Sequence, residues 1–215
     1  HSKHAKRQNI ALEISSTENS YVATLKHLQD SFITSCSQFM PNTEIVTMFG
    51  NWSEIYQLHA DFAKAISDRV NHWNYSSTIA DIFTQFVPKM KLYSTFINTF
   101  DKGEVLISDL TKIAKANDSK DKASITMANK FLELCQQFAA LEESHGLPMG
   151  AFRISPVQRL PRLCLLLEDL LRNTIERHPD YSGVRDCLAM LKEVSLAVNA
   201  AKGAALMQEH AESIA

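Results

Sequence analysis

The sequence is poor in glycine and proline, which contribute only six residues each to a chain of 215. Turn-rich β proteins need both residue types at short intervals, so their scarcity favours helices. No apolar run approaches the roughly 20 residues that cross a bilayer, so we expect a soluble, cytoplasmic protein. The 22 basic and 24 acidic side chains nearly balance, which gives no bulk attraction for nucleic acid or anionic lipid.

The four cysteines, Cys36, Cys135, Cys164 and Cys187, lie far apart and include no CxxC pair. An even number of cysteines could form disulfides, but the sequence shows no secretory signal, and two of the four fall within apolar helical stripes. We interpret them as reduced thiols in the core of an intracellular protein.

Helical periodicity dominates the chain, and no segment shows the two-residue alternation of a strand. A first helix is predicted over about 6–36, because five apolar residues fall within about 60° on a helical wheel. The Met-Pro-Asn sequence at 40–42 ends it, and Asn42 or Thr43 is expected to cap the next helix. The five apolar residues are Ile10, Ile14, Tyr21, Leu25 and Leu28.

The remaining pattern alternates helices with short polar connections. Loops are predicted at 67–77, 144–150 and 178–183, and the polar stretch 112–122 is an exposed connection or a frayed helix. We find no repeat or linker, so we expect one all-α domain over 1–215 with a core at about 6–205. Helices are predicted at 48–66, 78–86, 90–100 with a weaker continuation to 110, 123–143, 156–174 and from about Val184 beyond Gly203.

The segment ISPVQRLPRLCLLLEDLLRNT at 154–174 has two distinct sides at about 100° per residue. One side is apolar and suits a core, with Arg159 and Leu166 at its flank. Long polar groups around an exposed leucine, as on the other side, are typical of a protein-recognition surface, although a solvated face with helical ion pairs explains them more simply. That polar side carries Gln158, Arg162, Leu165, Asp169 and Arg172.

Motifs of covalent or metal chemistry are missing from the sequence. There is no Gly-rich phosphate loop, no GxSxG and no HExxH, and the acids around Asp118 and Asp121 do not follow an EF-hand pattern. His59 lies among apolar residues, where packing is commoner than metal ligation. We therefore expect no metal, no cofactor and no covalent catalysis.

The segment from Pro156 to Thr174 also carries a more specific pattern. It resembles the most diagnostic stretch of the Dbl homology (DH) domain, the exchange-factor module for Rho-family GTPases, approximately P-[IV]-Q-R-[IVL]-x-[KR]-Y-x-L-L-L-x-x-L-L-x-x-T. The matches follow an irregular spacing that periodicity alone does not produce. The matching residues are Pro156, Val157, Gln158, Arg159, Leu160, Arg162, Leu165, Leu166, Leu167, Leu170, Leu171 and Thr174.

Further segments resemble the same family in the expected order, and together they cover about 6–205. Residues 48–62 and 91–100 are similar to its F-x-N…H-x-x-F and Y-x-x-[YF] segments, and Asn199 fills the position of a recurrent Asn. Residues 11–25 are similar to its opening helix through Glu13, Ile14, Thr17, Glu18, Tyr21, Val22 and Leu25.

The chain departs from the family pattern at several positions. Leu163 stands where Tyr is usual, Cys164 where Pro is common, and Ala200 where an acidic residue is common. Residues 15–16 are both Ser in place of an apolar and a variable residue. The loss of the Tyr weakens a packing or hydrogen-bonding detail, and the loss of the acidic residue removes one possible contact with the partner.

The resemblance implies an elongated antiparallel bundle of about six main helices, whose first, PVQR and last helices present one surface to the GTPase switch regions. Glu13 would accept hydrogen bonds from switch I, while Arg162 and Asn199 would face switch II. Arg159 would support the surface through an internal carboxylate. The residues implied to bind the GTPase are Glu13, Ile154, Gln158, Arg159, Arg162, Leu165 and Asn199, supported by Thr17 and Glu18.

The implied partner is a Rho-family small GTPase, Rac-, Cdc42- or Rho-like, and Ile154 leans towards a Rac-like one. The resemblance implies no nucleic acid, and membrane contact only through regions outside this chain, such as the pleckstrin-homology domain that typically follows in the family. A helical scaffold of the same fold, which binds a GTPase or another protein without promoting exchange, is the alternative.

Overall fold

A computed structural model describes the backbone of residues 2–116 and 121–214 and the side chains of residues 3–116 and 121–200. Across these residues the chain is helical and contains no strand, which confirms the predicted all-α class. The α-helices of five or more residues are α1 (Ser2–Leu28), α2 (Asn42–Phe49), α3 (Trp52–Asn71), α4 (Ala80–Phe86), α5 (Tyr93–Ala116), α6 (Lys122–Ala140), α7 (Met149–Arg153), α8 (Ser155–Arg172) and α9 (Tyr181–Ile214).

The first helix reaches its predicted end by way of a π turn. Residues Gln29–Ile33 form this turn after α1, and Thr34–Cys36 add a last helical turn. Since a π turn holds more residues than an α-helical turn, it shifts the buried face, and Phe32 and Ile33 are both buried there. The five apolar residues predicted to form the core face of α1 are all buried.

The start of α2 and the end of α3 both differ from the prediction. Pro41 precedes α2 and no side chain caps that helix, so the expected cap from Asn42 or Thr43 is wrong. Helix α3 runs to Asn71, through the first part of the predicted loop, because Ile66 and Val70 continue its buried face.

The predicted polar connection at 112–122 is only partly described. Helix α5 continues into it as far as Ala116, and residues 117–120 lie outside the described part of the chain. Helix α6 then begins after Asp121, whose carboxylate accepts a hydrogen bond from the Ala123 N–H at 3.0 Å. This is the usual N-cap arrangement.

By its internal packing the chain divides into two compact units, each assembled from separate segments. The first unit comprises His1–Ala23, Glu54–Ser94 and Pro156–Ala215, and the second comprises Thr24–Ser53 and Thr95–Ser155.

In the first unit, Asp180 joins three helices just before α9 begins. Its carboxylate accepts hydrogen bonds from the N–H groups of Ile79 and Ala80 at the start of α4, at 3.0 and 2.9 Å, and it pairs with Arg7 of α1. Helices α4 and α9 approach closely because Gly183 has no side chain, and a Cβ there would lie 2.6 Å from the Ala80 Cβ.

In the second unit, the core is built around aromatic rings and one buried cation. Phe32 makes edge-to-face contacts with Phe49, Phe131 and Phe138 at centroid distances of 6.0, 5.8 and 5.6 Å. Arg153 is fully buried, donates to the carbonyls of residues 48 and 100 at 2.6 and 2.8 Å, and pairs with the carboxylate of residue 104. These bonds satisfy a charge that would otherwise be costly to bury.

No described helix is both long and apolar enough to traverse a lipid bilayer. The four cysteines are free thiols. Cys36 and Cys187 are buried, whereas Cys135 and Cys164 are half-buried.

Candidate functional site

A chain of buried polar groups connects α1, α3, α5 and α8 in the first unit. Glu18 pairs with His59 through one carboxylate oxygen and with Arg159 through the other. His59 Nε2 is hydrogen-bonded to the Tyr93 hydroxyl at 2.7 Å, and that hydroxyl is hydrogen-bonded to the Tyr21 hydroxyl at 2.9 Å. All five side chains are at most 6% exposed, so the network fixes the four helices against one another.

Glu18 carries the negative charge of this network. Burial raises the pKa of its carboxyl, but the charges and hydrogen bonds of His59 and Arg159 outweigh burial and hold the pKa below its ordinary value of 4.5. Burial raises the pKa of the Tyr21 and Tyr93 hydroxyls above the ordinary range. At neutral pH the network therefore contains a carboxylate and two neutral phenols.

Helix α8 has the two faces that its sequence predicts. Four leucines on the core side are buried: Leu160, Leu163, Leu167 and Leu170. On the opposite side Gln158 and Arg162 are exposed, and Leu165 is 64% exposed. Water covers this leucine in the free protein, and a partner that replaced the water would gain apolar contact.

Helix α9 runs beside α8, and one ion pair shows which residues of the two helices lie at the same level. Lys192 Nζ lies 2.6 Å from Glu168 Oε1, and the short connection 173–180 makes the two helices antiparallel neighbours. Arg162 lies about 9 Å from Glu168 along α8, and Asn199 lies about 10.5 Å from Lys192 along α9, in the same direction along the helix pair. Asn199 is exposed, as is Arg162.

An apolar pair lies between these polar residues and the ion pair. Leu165 is one turn from Glu168 along α8, and Leu196 is one turn from Lys192 along α9. Leu196 is 68% exposed. The two leucines therefore form adjacent apolar points on the same exposed side of the helix pair.

Helix α1 brings Glu13 to the side of α8. Glu13, Thr17 and Tyr21 follow one row at intervals of four residues, and the Arg159 guanidinium covers the ring of Tyr21 at 5.3 Å. Ser15, on the other side of α1, contacts Ser67 of α3 instead, at 3.2 Å.

Two contacts define the level of Glu13 along α8. Arg7 Nε donates to Thr174 Oγ1 at 3.3 Å, and Glu18 pairs with Arg159. Glu13 lies between these contacts, at a level on α8 that includes Arg162 and Leu165. We use the name three-helix face for six exposed residues of α1, α8 and α9: Glu13, Gln158, Arg162, Leu165, Leu196 and Asn199.

Some predicted site residues do not belong to this face. Arg159 is 3% exposed, so it supports the face from beneath and does not offer its guanidinium to a partner. Glu18 is fully buried and Thr17 is half-buried, which suits supporting positions. Ile154 is 37% exposed and belongs to the second unit, where it ends α7.

Sequence reasoning missed Leu196 as a surface residue. It lies about 200° around α9 from the buried Val198, so an apolar residue opposite the core stripe was the available signal. Asp180, which is 1% exposed and joins α1 to α4, was also missed. A lone acid in a loop gives no sequence signal of its burial.

His59 is packed within the polar network, hydrogen-bonded through both ring nitrogens. Among the described residues, no group of three or more His, Cys, Asp or Glu side chains could hold a metal ion.

Comparison with known proteins gives consistent similarities. A family model described as the RhoGEF domain matches residues 10–199. The guanine exchange factor for Rac 30 of Dictyostelium discoideum is 31% identical over 199 residues, which cover 92% of this chain and 11% of that protein. The FYVE, RhoGEF and PH domain-containing protein 6 of Homo sapiens is 33% identical over 199 residues, which cover 89% and 13%. The chain thus spans little more than a tenth of these relatives.

Solved structures share the same fold. The DH/PH domains of PDZ-RhoGEF, in a crystal structure of their complex with GTP-gamma-S-activated RhoA, match with a TM-score of 0.81 and 19% identity over 99% of this chain and 58% of that chain. The DH/PH domain of human ARHGEF11, in a ternary complex with human RhoA and its inhibitor, matches with a TM-score of 0.83 and 19% identity over the same shares. At this level of identity the likeness concerns the fold alone.

Proposed function

Because this chain belongs to the RhoGEF, or Dbl homology, domain family, we propose that it is a guanine-nucleotide exchange factor domain that acts on a Rho-family small GTPase. The observation that carries the proposal is the three-helix face. Polar side chains from three neighbouring helices surround two exposed leucines there, a composition that suits a specific protein partner.

The polar residues of the face hold the GTPase switches in this proposal. Glu13 accepts hydrogen bonds from switch I and draws it away from the nucleotide. Arg162 and Asn199 bind switch II, and Leu165 with Leu196 supply the apolar centre of the contact. The bound switch conformation no longer favours the magnesium and phosphate contacts, so the nucleotide leaves.

The mechanism is a thermodynamic coupling with no covalent step. A GTPase that holds its nucleotide at picomolar strength has about 16 kcal/mol of binding free energy to be offset. An exchange factor must bind the nucleotide-free conformation better than the loaded one. By reciprocity, the exchange factor weakens the binding of the nucleotide to the GTPase by the same factor by which the nucleotide weakens the binding of the exchange factor. Excess GTP then rebinds and ejects the factor.

The buried network beneath the face supports this role. A surface that must become ordered on contact loses part of its binding free energy to conformational entropy, whereas a surface that is already ordered does not. Glu18 directly follows the half-buried Thr17 in the sequence, and Arg159 directly follows the exposed Gln158. Since Glu18 and Arg159 are locked together, the backbone of both helices is fixed at the face.

A Rac-like GTPase is the proposed partner within the Rho family. Ile154 leans that way by its residue type, and the Dictyostelium relative is named for Rac. We propose action in the cytoplasm, with membrane recruitment left to regions outside this chain.

The alternative is a scaffold that binds without exchange, and the departure at Leu163, where the family usually has Tyr, is one feature that leaves room for it. Leu163 is fully buried in α8. This departure therefore changes core packing and leaves the three-helix face as it is, so it gives no support to the scaffold.

The test is the release of a fluorescent GDP analogue from Rac-, Cdc42- and Rho-type GTPases. We expect the wild-type chain to accelerate release from at least one of them. Glu13→Ala, Arg162→Glu and Asn199→Ala are each expected to reduce the acceleration at least tenfold, about 1.4 kcal/mol of transition-state binding. Because all three side chains are exposed, helicity and melting temperature are expected to stay unchanged.

Each variant has a matched control among exposed residues away from the face. These are Glu133→Ala, Arg185→Glu and Asn98→Ala, which are expected to exchange like the wild type. Exchange that survives all three face substitutions would disprove the site assignment. Binding without any acceleration would favour the scaffold.

A further inference from the structure

Arg7 has a donor that no described residue accepts. Its side chain is 2% exposed, Nε donates to Thr174 Oγ1 at 3.3 Å, and Nη2 pairs with Asp180. The guanidinium lies 4.8 Å from the centre of the Trp73 ring. Nη1, by contrast, is buried with no hydrogen-bond partner in the described part of the chain. Buried polar groups are rarely left in this state, because an unpaired donor pays the full cost of its desolvation.

A cavity of about 390 Å³ opens against Arg7 at this end of the first unit. Lys3 and Arg177 also line it, and none of the described residues that line it is acidic. Neither Lys3 nor Arg177 forms an ion pair with any residue that the structure describes. Arg7 is paired with Asp180, so the cavity has two further cations, Lys3 and Arg177, with no counter-charge among the described residues that line it.

The nearby Asp180 neutralises Arg7 but leaves Lys3 and Arg177 without a partner among the described residues. Its carboxylate pairs with Arg7 and also accepts the N–H groups of Ile79 and Ala80, so its oxygens are already engaged. Asp180 thus pairs with Arg7 and also accepts hydrogen bonds at the start of α4. The charges of Lys3 and Arg177 have no acidic partner among the described residues.

The rim of the cavity is ordered by its own contacts. His178 Nδ1 accepts a hydrogen bond from the Asp180 N–H at 3.1 Å, so Nε2 carries the proton and donates to the Tyr75 carbonyl at 3.0 Å. The Tyr75 ring, 63% exposed, packs at a tilt against the His4 ring, with a centroid distance of 4.8 Å. A rim fixed in this way lowers the entropic cost of binding a ligand.

A trough of about 710 Å³ continues from the cavity and shares Lys3, Ile175 and Arg177 with it. Leu171 and Glu176 also line the trough. Apolar groups beside charges of both signs suit an extended peptide. A membrane surface would need a broad basic face, whereas this chain has a net charge of −2.

We propose that this end of the first unit binds a phosphorylated peptide. The phosphate group lies in the smaller cavity against Arg7, Lys3 and Arg177, and the flanking residues of the peptide lie in the trough. Phosphate offers three acceptor oxygens and close to two negative charges, which a cluster of basic side chains recognises by charge-assisted hydrogen bonds. The site lies about 9 Å along α1 from Glu13 and does not depend on the exchange activity proposed above.

The two tryptophans supply a reporter and an internal control in a ¹H–¹⁵N NMR titration of the 215-residue chain. Trp73 stacks on Arg7, and its indole N–H has no acceptor among the described residues. Trp52, in the second unit, donates its indole N–H to the Leu25 carbonyl at 3.0 Å. A phosphoserine tripeptide flanked by leucines is expected to shift the Trp73 indole signal saturably and to leave the Trp52 signal in place.

Three probes separate the sources of the phosphate. The phosphoserine tripeptide is expected to bind at least tenfold more tightly than inorganic phosphate, because its leucines reach the trough. The unphosphorylated tripeptide is expected to cause no shift. Phosphatidylcholine vesicles that contain phosphatidylinositol bisphosphate are expected not to sediment the chain.

Arg177→Glu is the decisive variant, because Arg177 is exposed, whereas replacing Arg7 would also break its ion pair with Asp180. It is expected to abolish the shift, and Arg185→Glu, outside both cavities, is expected to bind like the wild type. The proposal is overturned if the Trp73 indole signal does not shift with any phosphate probe, or if Arg177→Glu binds the phosphoserine tripeptide like the wild type. Equal affinity for inorganic phosphate and tripeptide, or binding to the vesicles alone, overturns the peptide assignment.

Discussion

Arg159 of α8 and Glu18 of α1 form a buried ion pair although 141 residues separate them in the sequence. Each is the direct neighbour of a residue nearer the surface, Gln158 and Thr17 respectively. The same contact that joins α1 and α8 in the core therefore fixes the backbone on which the three-helix face is built.

Replacing Glu18 with Gln is expected to destabilise the fold in a pH-dependent way. The folded-state pKa of Glu18 is below its ordinary value, so its contribution is complete above about pH 4.5 and is lost as the pH falls through the lowered value. At neutral pH the variant leaves Arg159 without its counter-charge, at a cost of about 3–5 kcal/mol. Urea unfolding of wild type and variant at pH 7 and in acid measures the difference.

The difference in unfolding free energy between wild type and Glu18→Gln is expected to shrink towards acid pH. Glu133→Gln, an exposed control, is expected to match the wild type at both pH values. A difference that stays constant from neutral to acid pH would show that Glu18 contributes by shape and not by charge.

Gly103 in α5 is expected to resist a substitution that usually stabilises helices. Alanine exceeds glycine in helix propensity by about 1 kcal/mol. A Cβ at Gly103, however, would collide with Arg153 Nη2 and lie 2.8 Å from the Thr47 carbonyl oxygen. We expect Gly103→Ala to destabilise the chain by about 1–3 kcal/mol in thermal or urea unfolding. Gly150→Ala, with open space around the added Cβ, is expected to be neutral or slightly stabilising.

Two cysteines of the second unit are expected to be unreactive in the folded chain. Burial raises the pKa of Cys36 to about 12 and that of Cys135 to about 11. Since the thiolate is the reactive form, alkylation by iodoacetamide at neutral pH should be at least about 100-fold slower than in the urea-unfolded chain. Peptide mass spectrometry over time measures both rates, and equal rates would contradict the raised pKa values of these thiols.

The exposed leucines of the face are expected to matter for exchange and not for stability. Leu165→Asp and Leu196→Asp should each slow GDP release at least tenfold, because they place a charge at the apolar centre of the contact. Leu147→Asp, at a 50% exposed leucine of the second unit, is the matched control. Unfolding free energies within about 0.5 kcal/mol of the wild type would separate a lost contact from a lost fold.

The helices and their buried faces could be predicted because helical burial follows a local pattern. The core leucines of α8 and the exposure of Leu165 both followed from the 3.6-residue period. The extension of α3 to Asn71 was missed because its polar last turn is held by long-range packing of Ile66 and Val70.

The polar network could not be predicted from periodicity. His59 and Glu18 are 41 residues apart, and Tyr93 and His59 are 34 apart, so no sequence window contains the partners. The resemblance implied an internal carboxylate for Arg159, and only the fold identifies it as Glu18. The Arg7 cavity likewise depends on the approach of a loop that lies more than 160 residues from Arg7 in sequence.

The most direct test of the exchange mechanism is the affinity of the chain for one Rac-type GTPase in its nucleotide-free and GDP-loaded forms. We predict at least 100-fold tighter binding to the nucleotide-free form, a coupling of about 2.7 kcal/mol, and we expect Arg162→Glu to remove most of it. Equal affinity for the two forms would contradict the account, because a protein that does not distinguish them cannot promote nucleotide release.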